Sequence, residues 1–196
     1  MKYILIALLI VVLGIFAFLK TTGGNSNIAQ AEGSSNMTDK KVLIAYFSYS
    51  GNTKSIAEKI QAKVGGDIFR IEVATPYPTD YNETAYGIAK KQHDENILPE
   101  LKDNGDVSAY DVVFVGTPAW WYEMAPAVKT FFANNNFEGK TVIPFITHGG
   151  GGKYHIKEDM QKMTKDAQVI EPFVVYEKGN ANTDKELSEW LKELGF

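Results

Sequence analysis

Three short stretches concentrate the residues whose types and spacing could do chemistry. Ser48-Tyr-Ser-Gly-Asn-Thr53 gathers three hydroxyls besides the tyrosine, an amide and a glycine within six positions. It follows the apolar run Val42–Phe47 and opens Thr53–Ile60, which has helical spacing. A hydroxyl-rich turn at a helix start places unpaired backbone N–H groups and partial positive charge around one small volume, which suits a phosphate. No lysine or arginine precedes Lys54 in this stretch, so such a phosphate is expected to be held mainly by neutral donors. Capping of the helix by Ser50 or Asn52 is the plainer alternative.

Thr117-Pro-Ala-Trp-Trp-Tyr-Glu-Met124 sets three adjacent aromatics just after a second apolar run. Trp120 or Trp121 could be core, but aromatics at a strand exit are where a planar ligand would stack, worth about 0.5–1.5 kcal/mol beyond simple burial. Thr147-His-Gly-Gly-Gly-Gly-Lys153 follows a third apolar run, and its four glycines permit close backbone approach to a ligand or make a flexible turn. It is not a nucleotide P-loop, because Thr147 stands at the first glycine position and Tyr154 at the Ser/Thr position. The first loop likewise lacks the Gly-x-x-x-x-Gly-Lys and Gly-x-Gly-x-x-Gly patterns. His148 is either a hydrogen-bond donor to a ligand or a cap for the following helix. His93, His155, Glu158 and Asp159 show no metal-ligand spacing and read as solvated side chains. No Ser–His–acid or paired-carboxylate arrangement stands out. A ligand site without a nucleophile or base points to a cofactor that carries the chemistry itself.

These loops must be positioned by regular elements. From Lys41 onward, strands are expected at 42–47, 67–73, 111–116, 141–147 and 169–176. Helices are expected at 53–63, 80–92, 126–133, 154–164 and 183–194. Continuous apolar strands alternating with amphipathic helices imply an α/β fold with a doubly wound parallel sheet covered on both faces. In such a sheet the ligand lies beyond the strand C-termini, where all three loops fall.

Composition agrees with one globular domain plus a short extra segment: 196 residues, 44% hydrophobic and 22% charged. The net charge of −4 argues against nucleic acid as a partner. The absence of cysteine excludes disulfides, thiolate metal sites and cysteine nucleophiles. Residues 1–31 differ from the rest: Lys2, then Tyr3–Leu19 without a charge, then Lys20. They read as a signal peptide, with Ala29-Gln-Ala31 as a small-x-small cleavage site, or as an N-terminal membrane anchor touching the membrane if uncleaved. Residues 32–40 are then a linker, and residues 41–196 a domain working outside the cytoplasm, secreted or anchored at the outer face of the cytoplasmic membrane.

A phosphate loop, an aromatic loop and a glycine loop at three successive strand ends resemble the flavodoxin family. The likeness is to its small branch with Pro-x-Trp-Trp and Thr-x-Gly-Gly motifs, and it extends over Val42–Leu194, with Tyr77-Pro-Thr-Asp-Tyr81 and Pro99-Glu-Leu101. The resemblance implies a five-stranded sheet in the order 2-1-3-4-5 and one non-covalent FMN. By position, Ser48, Ser50, Gly51, Asn52 and Thr53 would bind the FMN phosphate. Pro118, Ala119, Trp120 and Trp121 would flank the isoalloxazine, and Thr147, His148, Gly149 and Gly150 would approach its polar edge. The absence of a glycine beside Trp120 favours two-electron chemistry. Glu123, if near the ring, would oppose an anionic reduced form. The resulting expectation is electron transfer or oxidoreduction with a redox partner protein or a small quinone-like substrate. The alternatives are an NAD(P)H-dependent quinone or nitro-compound reductase and a non-redox binding module.

Overall fold

Apolar runs long enough to be buried on both faces become the central strands. The computed structural model describes residues 37–196; the expected export segment lies outside them. Strands β1 (Val42–Tyr46), β2 (Asp67–Arg70), β3 (Val112–Trp120), β4 (Glu123–Met124), β5 (Thr141–His148), β6 (Gln168–Val169) and β7 (Phe173–Tyr176) form one sheet. Helices α1 (Asn52–Val64), α2 (Ala89–Asp94), α3 (Pro126–Asn134), α4 (Ile156–Met163) and α5 (Thr183–Glu193) accompany them. The path runs β2-β1-β3-β5, and β6 and β7 share the next place by both pairing parallel to β5. With that pair counted as one strand and the two-residue β4, which pairs antiparallel with β3 off this path, set aside, the order is the expected 2-1-3-4-5. Among the described residues no helix is long and apolar enough to cross a membrane.

Side chains alternate across the pleat, so each central strand feeds two cores. Leu43, Ala45 and Phe47 face the side of α3 and α4, with Phe131, Phe132, Ile156 and Met160. Val42, Ile44 and Tyr46 face the side of α1 and α5, with Ile56, Ile60, Leu187 and Leu191. Phe114 and Phe145 are fully buried in this second core, each contributing about 1.5–3 kcal/mol by burial. Gly116, two residues after Phe114 on β3, lies between Tyr46 of β1 and Phe145 of β5 in the sheet. A Cβ there would collide with the Phe145 ring, so glycine is what lets that ring lie across β3.

Four elements differ from their sequence expectation. The second strand stops at Arg70: Ile71 still donates its N–H to the Tyr46 carbonyl, but Val73 pairs antiparallel with Leu101 of the connector. The third continues beyond Gly116 to Trp120, because Thr117 and Pro118 keep pairing with Ile146 and Thr147. The fifth is broken at 170–172, where Pro172 has no N–H for the ladder. The polar helix expected from residue 80 is π-helical over Glu83–Ile88 before it becomes α2. Such an insertion has no side-chain period of its own and occurs often at functional sites.

Candidate functional site

At the C-terminal end of β1 the chain turns through Gly51, whose φ of 92° and ψ of −8° lie in the left-handed region glycine tolerates. Its N–H donates to the Ser48 hydroxyl oxygen at 3.1 Å, and its carbonyl accepts from the Ser55 N–H at 3.0 Å. The N-cap of α1 is Gly51, which has no side chain to cap with, so neither Ser50 nor Asn52, the alternative read from the sequence, occupies the cap position. The N–H groups of the first helical turn therefore face the loop as donors. Thr53 and Thr147 bring two of the loops together: their hydroxyls lie 2.8 Å apart, and they are 1% and 3% exposed. Ser48 is also buried, whereas Ser50 is exposed. Lys54, the next residue in the chain, leans toward Glu58 at 3.6 Å.

The aromatic stretch is a hairpin rather than a loop. Ala119 and Trp120 pair with Met124 and Glu123, leaving Trp121 and Tyr122 as the two-residue tip. Both tip residues have positive φ, 48° and 72°. That is the sign a two-residue turn of type I′ requires, and it usually selects Asn-Gly. Bulky residues there are strained by about 1–2 kcal/mol each, so neighbours must hold them. The Trp121 indole N–H donates to the Ala85 carbonyl at 2.7 Å, and Lys90 Nζ sits 5.1 Å from the centre of its ring. His93 Nε2 lies 2.9 Å from the Trp121 carbonyl oxygen. Trp120 turns the other way and meets Phe47, Tyr49 and Tyr77 edge-on at 5.3–5.9 Å. It packs against the core as a partly buried wall. Glu123 is ion-paired with Lys129, so its charge is compensated.

At the end of β5, His148 Nδ1 accepts the Gly150 N–H at 3.0 Å. Since that donor has only a proton to offer, Nδ1 holds a lone pair and Nε2 carries the hydrogen. Burial lowers the His148 pKa, which keeps this neutral form. His148 does not cap the next helix, whose N-cap is His155. Gly149 and Gly150 are exposed. Tyr154 folds back over Gly151, where a Cβ would strike the phenol, and meets Tyr122 of the hairpin tip edge-on at 5.1 Å.

The three segments converge on a cleft of about 250 Å³. Tyr49 comes from the first loop, Ala119, Trp120, Trp121 and Tyr122 from the hairpin, and Tyr154 from the end of the third loop. The π-helical segment closes the far side with Thr84, Ala85 and Tyr86. No lining residue is charged. Thr147 joins this group through both Thr53 and its pairing with Pro118. A larger neighbouring cleft of about 530 Å³ contains Ser48, Ser50, Arg70, Glu72 and Lys102 and shares Tyr49 with the first. There Glu72 engages both cations, at 4.0 Å from Arg70 and 3.7 Å from Lys102.

Sequence reasoning missed Tyr49, Tyr86, Tyr154 and His93. The first was inside the quoted phosphate stretch, and its spacing alone marked it as nothing more than a loop residue. His93, read as solvated, is instead bound to a backbone carbonyl 28 residues away. Tyr77, behind Trp120, donates its hydroxyl to Gln92 Oε1 at 2.7 Å, and burial pushes its pKa up to about 12.

Several solved structures are similar in fold. A flavoprotein from Bacteroides eggerthii is 31% identical, with a TM-score of 0.68 over 80% of this chain and 99% of its own. One from Bacteroides uniformis is 26% identical, with a TM-score of 0.64 over 78% and 97%. A flavoprotein from Lactobacillus acidophilus, solved in complex with FMN, is 28% identical, with a TM-score of 0.59 over 78% and 99%. Among curated proteins none matches the chain. The flavodoxin family model matches residues 41–194, which is the whole strand-and-helix region from β1 to the end of α5, and the chain therefore belongs to the flavodoxin family.

Proposed function

We propose that this flavodoxin-family chain binds FMN and acts in electron transfer or oxidoreduction outside the cytoplasmic membrane. The observation that carries the reading is the junction at Tyr49. On one side lies a helix N-terminus without a side-chain cap, lined by hydroxyls; on the other lies an uncharged aromatic cleft. FMN joins a phosphate to a flat ring, and the residues present fit both parts. Ser48, Ser50, Gly51, Asn52 and Thr53 would hold the phosphate through hydroxyls and N–H groups, as helix N-termini hold anions generally. Pro118, Ala119, Trp120 and Trp121 would flank the ring. Thr147, His148, Gly149 and Gly150 would meet its polar edge, His148 through its Nε2–H. When bound, FMN supplies the redox chemistry. The chain's part is to fix the ring, exclude water with the tyrosine-rich wall, and keep net charge away from it.

An uncharged lining suits a small neutral acceptor of the quinone type, and a redox partner protein would meet the same exposed edge. The extracytoplasmic location rests on the charge-free Tyr3–Leu19 between two lysines and on the polar linker that follows. Reconstitution of the full chain with FMN is the test. The expected result is a yellow protein that holds FMN through desalting and can be reduced and reoxidised. A colourless protein after reconstitution sinks the proposal. Bleaching by NADPH without a mediator would move the reading to an NAD(P)H-dependent reductase.

A further inference from the structure

We propose that His93 is a positioning residue for the hairpin tip: by donating Nε2–H to the Trp121 carbonyl it sets the orientation of the Trp121–Tyr122 peptide beside the cofactor ring. The inference rests on the reading of the cleft as a flavin site. Two opposed preferences meet at this peptide. The right-handed twist of paired strands favours a type I′ turn, whereas residues with a Cβ favour its mirror image, type I, with negative φ. The central carbonyl points to opposite sides in the two turns. The tip adopts positive φ at both Trp121 and Tyr122, so something outside the hairpin tips the balance. Besides the Tyr86 ring, which meets the Trp121 ring edge-on at 5.9 Å, three polar contacts from the 83–94 segment reach Trp121: Ala85 O to the indole N–H, Lys90 over the ring, and His93 to the carbonyl. Among these, the first two fix the side chain. His93 alone touches the peptide, and because a trans peptide holds C=O and N–H antiparallel, it fixes the Tyr122 N–H as well.

The chemistry of the ring separates this role from packing. A carbonyl only accepts, so Nε2 carries the proton. Nδ1 is then buried with no hydrogen-bond partner among the described residues, and the nearest carboxylate, Asp94, is 3.8 Å away. A buried ring nitrogen without a partner is unfavourable, so packing alone would favour an apolar ring at position 93. What a phenyl ring lacks is the donor. Neutral histidine and its imidazolium both donate from Nε2, so the clamp does not depend on the protonation of Nδ1.

The test compares the full chain with its His93→Phe, His93→Gln and His93→Asn variants, each loaded with FMN. Glutamine places an N–H near the Nε2 position, and asparagine places one near Nδ1. Loss of the clamp in H93F and H93N is expected to change the ratio of affinities for oxidised and reduced FMN at least tenfold. That is about 30 mV in a two-electron midpoint potential. H93Q is expected to stay within threefold of the parent. In unloaded protein, the backbone amides of Tyr122 and Glu123 are expected to exchange at least tenfold faster in H93F and H93N than in the parent and H93Q. An unchanged potential together with unchanged exchange in H93F and H93N overturns the proposal, and so does equal loss in all three variants. If H93F does not fold, the contrast between H93N and H93Q decides the same point. If the parent itself binds no FMN, the reading of the site fails, and the exchange comparison still decides the clamp.

Discussion

Replacing Thr53 and Thr147 by valine, singly and together, tests the phosphate end of the site with arithmetic set by two protons. The hydroxyls are 2.8 Å apart and buried. One proton closes their mutual bond, which leaves a single O–H for a ligand. A single valine strands the other hydroxyl without its partner, at about 1–3 kcal/mol. The double variant replaces both by apolar groups of the same shape and is expected near neutral in stability. The singles are therefore non-additive, with a coupling as large as their two costs together, about 2–6 kcal/mol. Denaturation midpoints at constant slope measure it. Ligand binding is expected to behave oppositely. The double variant loses one donor to a charged acceptor, about 1.5–3 kcal/mol, or roughly 10- to 150-fold in FMN affinity. Riboflavin, which lacks the phosphate, is expected to lose only the smaller contact of Thr147 with the ring edge. Isothermal titration or fluorescence quenching with both ligands reads the difference. A loss for riboflavin as large as that for FMN would refute the assignment of Thr53 to the phosphate, and additive stabilities would refute the hydrogen bond.

Three further outcomes follow from particular residues. Gly51→Ala meets no atom within 4 Å of the new Cβ, so only its φ of 92° opposes the change; the expected cost is about 1–2 kcal/mol, seen as a fall in melting temperature of about 2–8 °C. The Tyr77 pKa, raised to about 12 by burial, gives a contribution complete below pH ~10 and lost as pH rises toward 12. Denaturation midpoints in that alkaline window are expected to fall less for Tyr77→Phe than for the parent. The His148 pKa is lowered by burial, so its contribution is present above pH ~6.5 and declines as acidification passes its folded value. His148→Gln is expected to remove that part of the acid sensitivity, and a parallel pH–stability curve for the variant would contradict it.

The central sheet was readable because strands buried on both faces leave continuous apolar runs: Val42–Phe47, Val112–Gly116 and Thr141–Thr147 need no tertiary information to be recognised. The hairpin was not. Trp120 and Glu123 pair through backbone groups, and the tip uses a turn for which Trp-Tyr carries no signal. The break in the last strand had a visible marker in Pro172, whose missing N–H leaves β6 and β7 to pair with β5 separately. His93 had none: its partner is a backbone carbonyl brought close by the π-helical segment, and periodicity does not report contacts to a main chain far along the sequence. In the site, residue types marked the three loops, but which of their side chains meet was decided by the directions of β1, β3 and β5.

The neutral character of the first loop has a consequence for where such a protein can work. A phosphate held by lysine or arginine gains part of its affinity from charge attraction, which dissolved ions screen over about 8–10 Å at ordinary ionic strength. Here the nearby cations each face a carboxylate, Lys54 at 3.6 Å from Glu58, Arg70 and Lys102 at 4.0 and 3.7 Å from Glu72, and the remaining donors are hydroxyls and amides. Retention of the ligand then depends on the shape of the turn rather than on the ionic strength of the medium. A turn built this way would lose less of its grip as salt rises than one built on lysine or arginine.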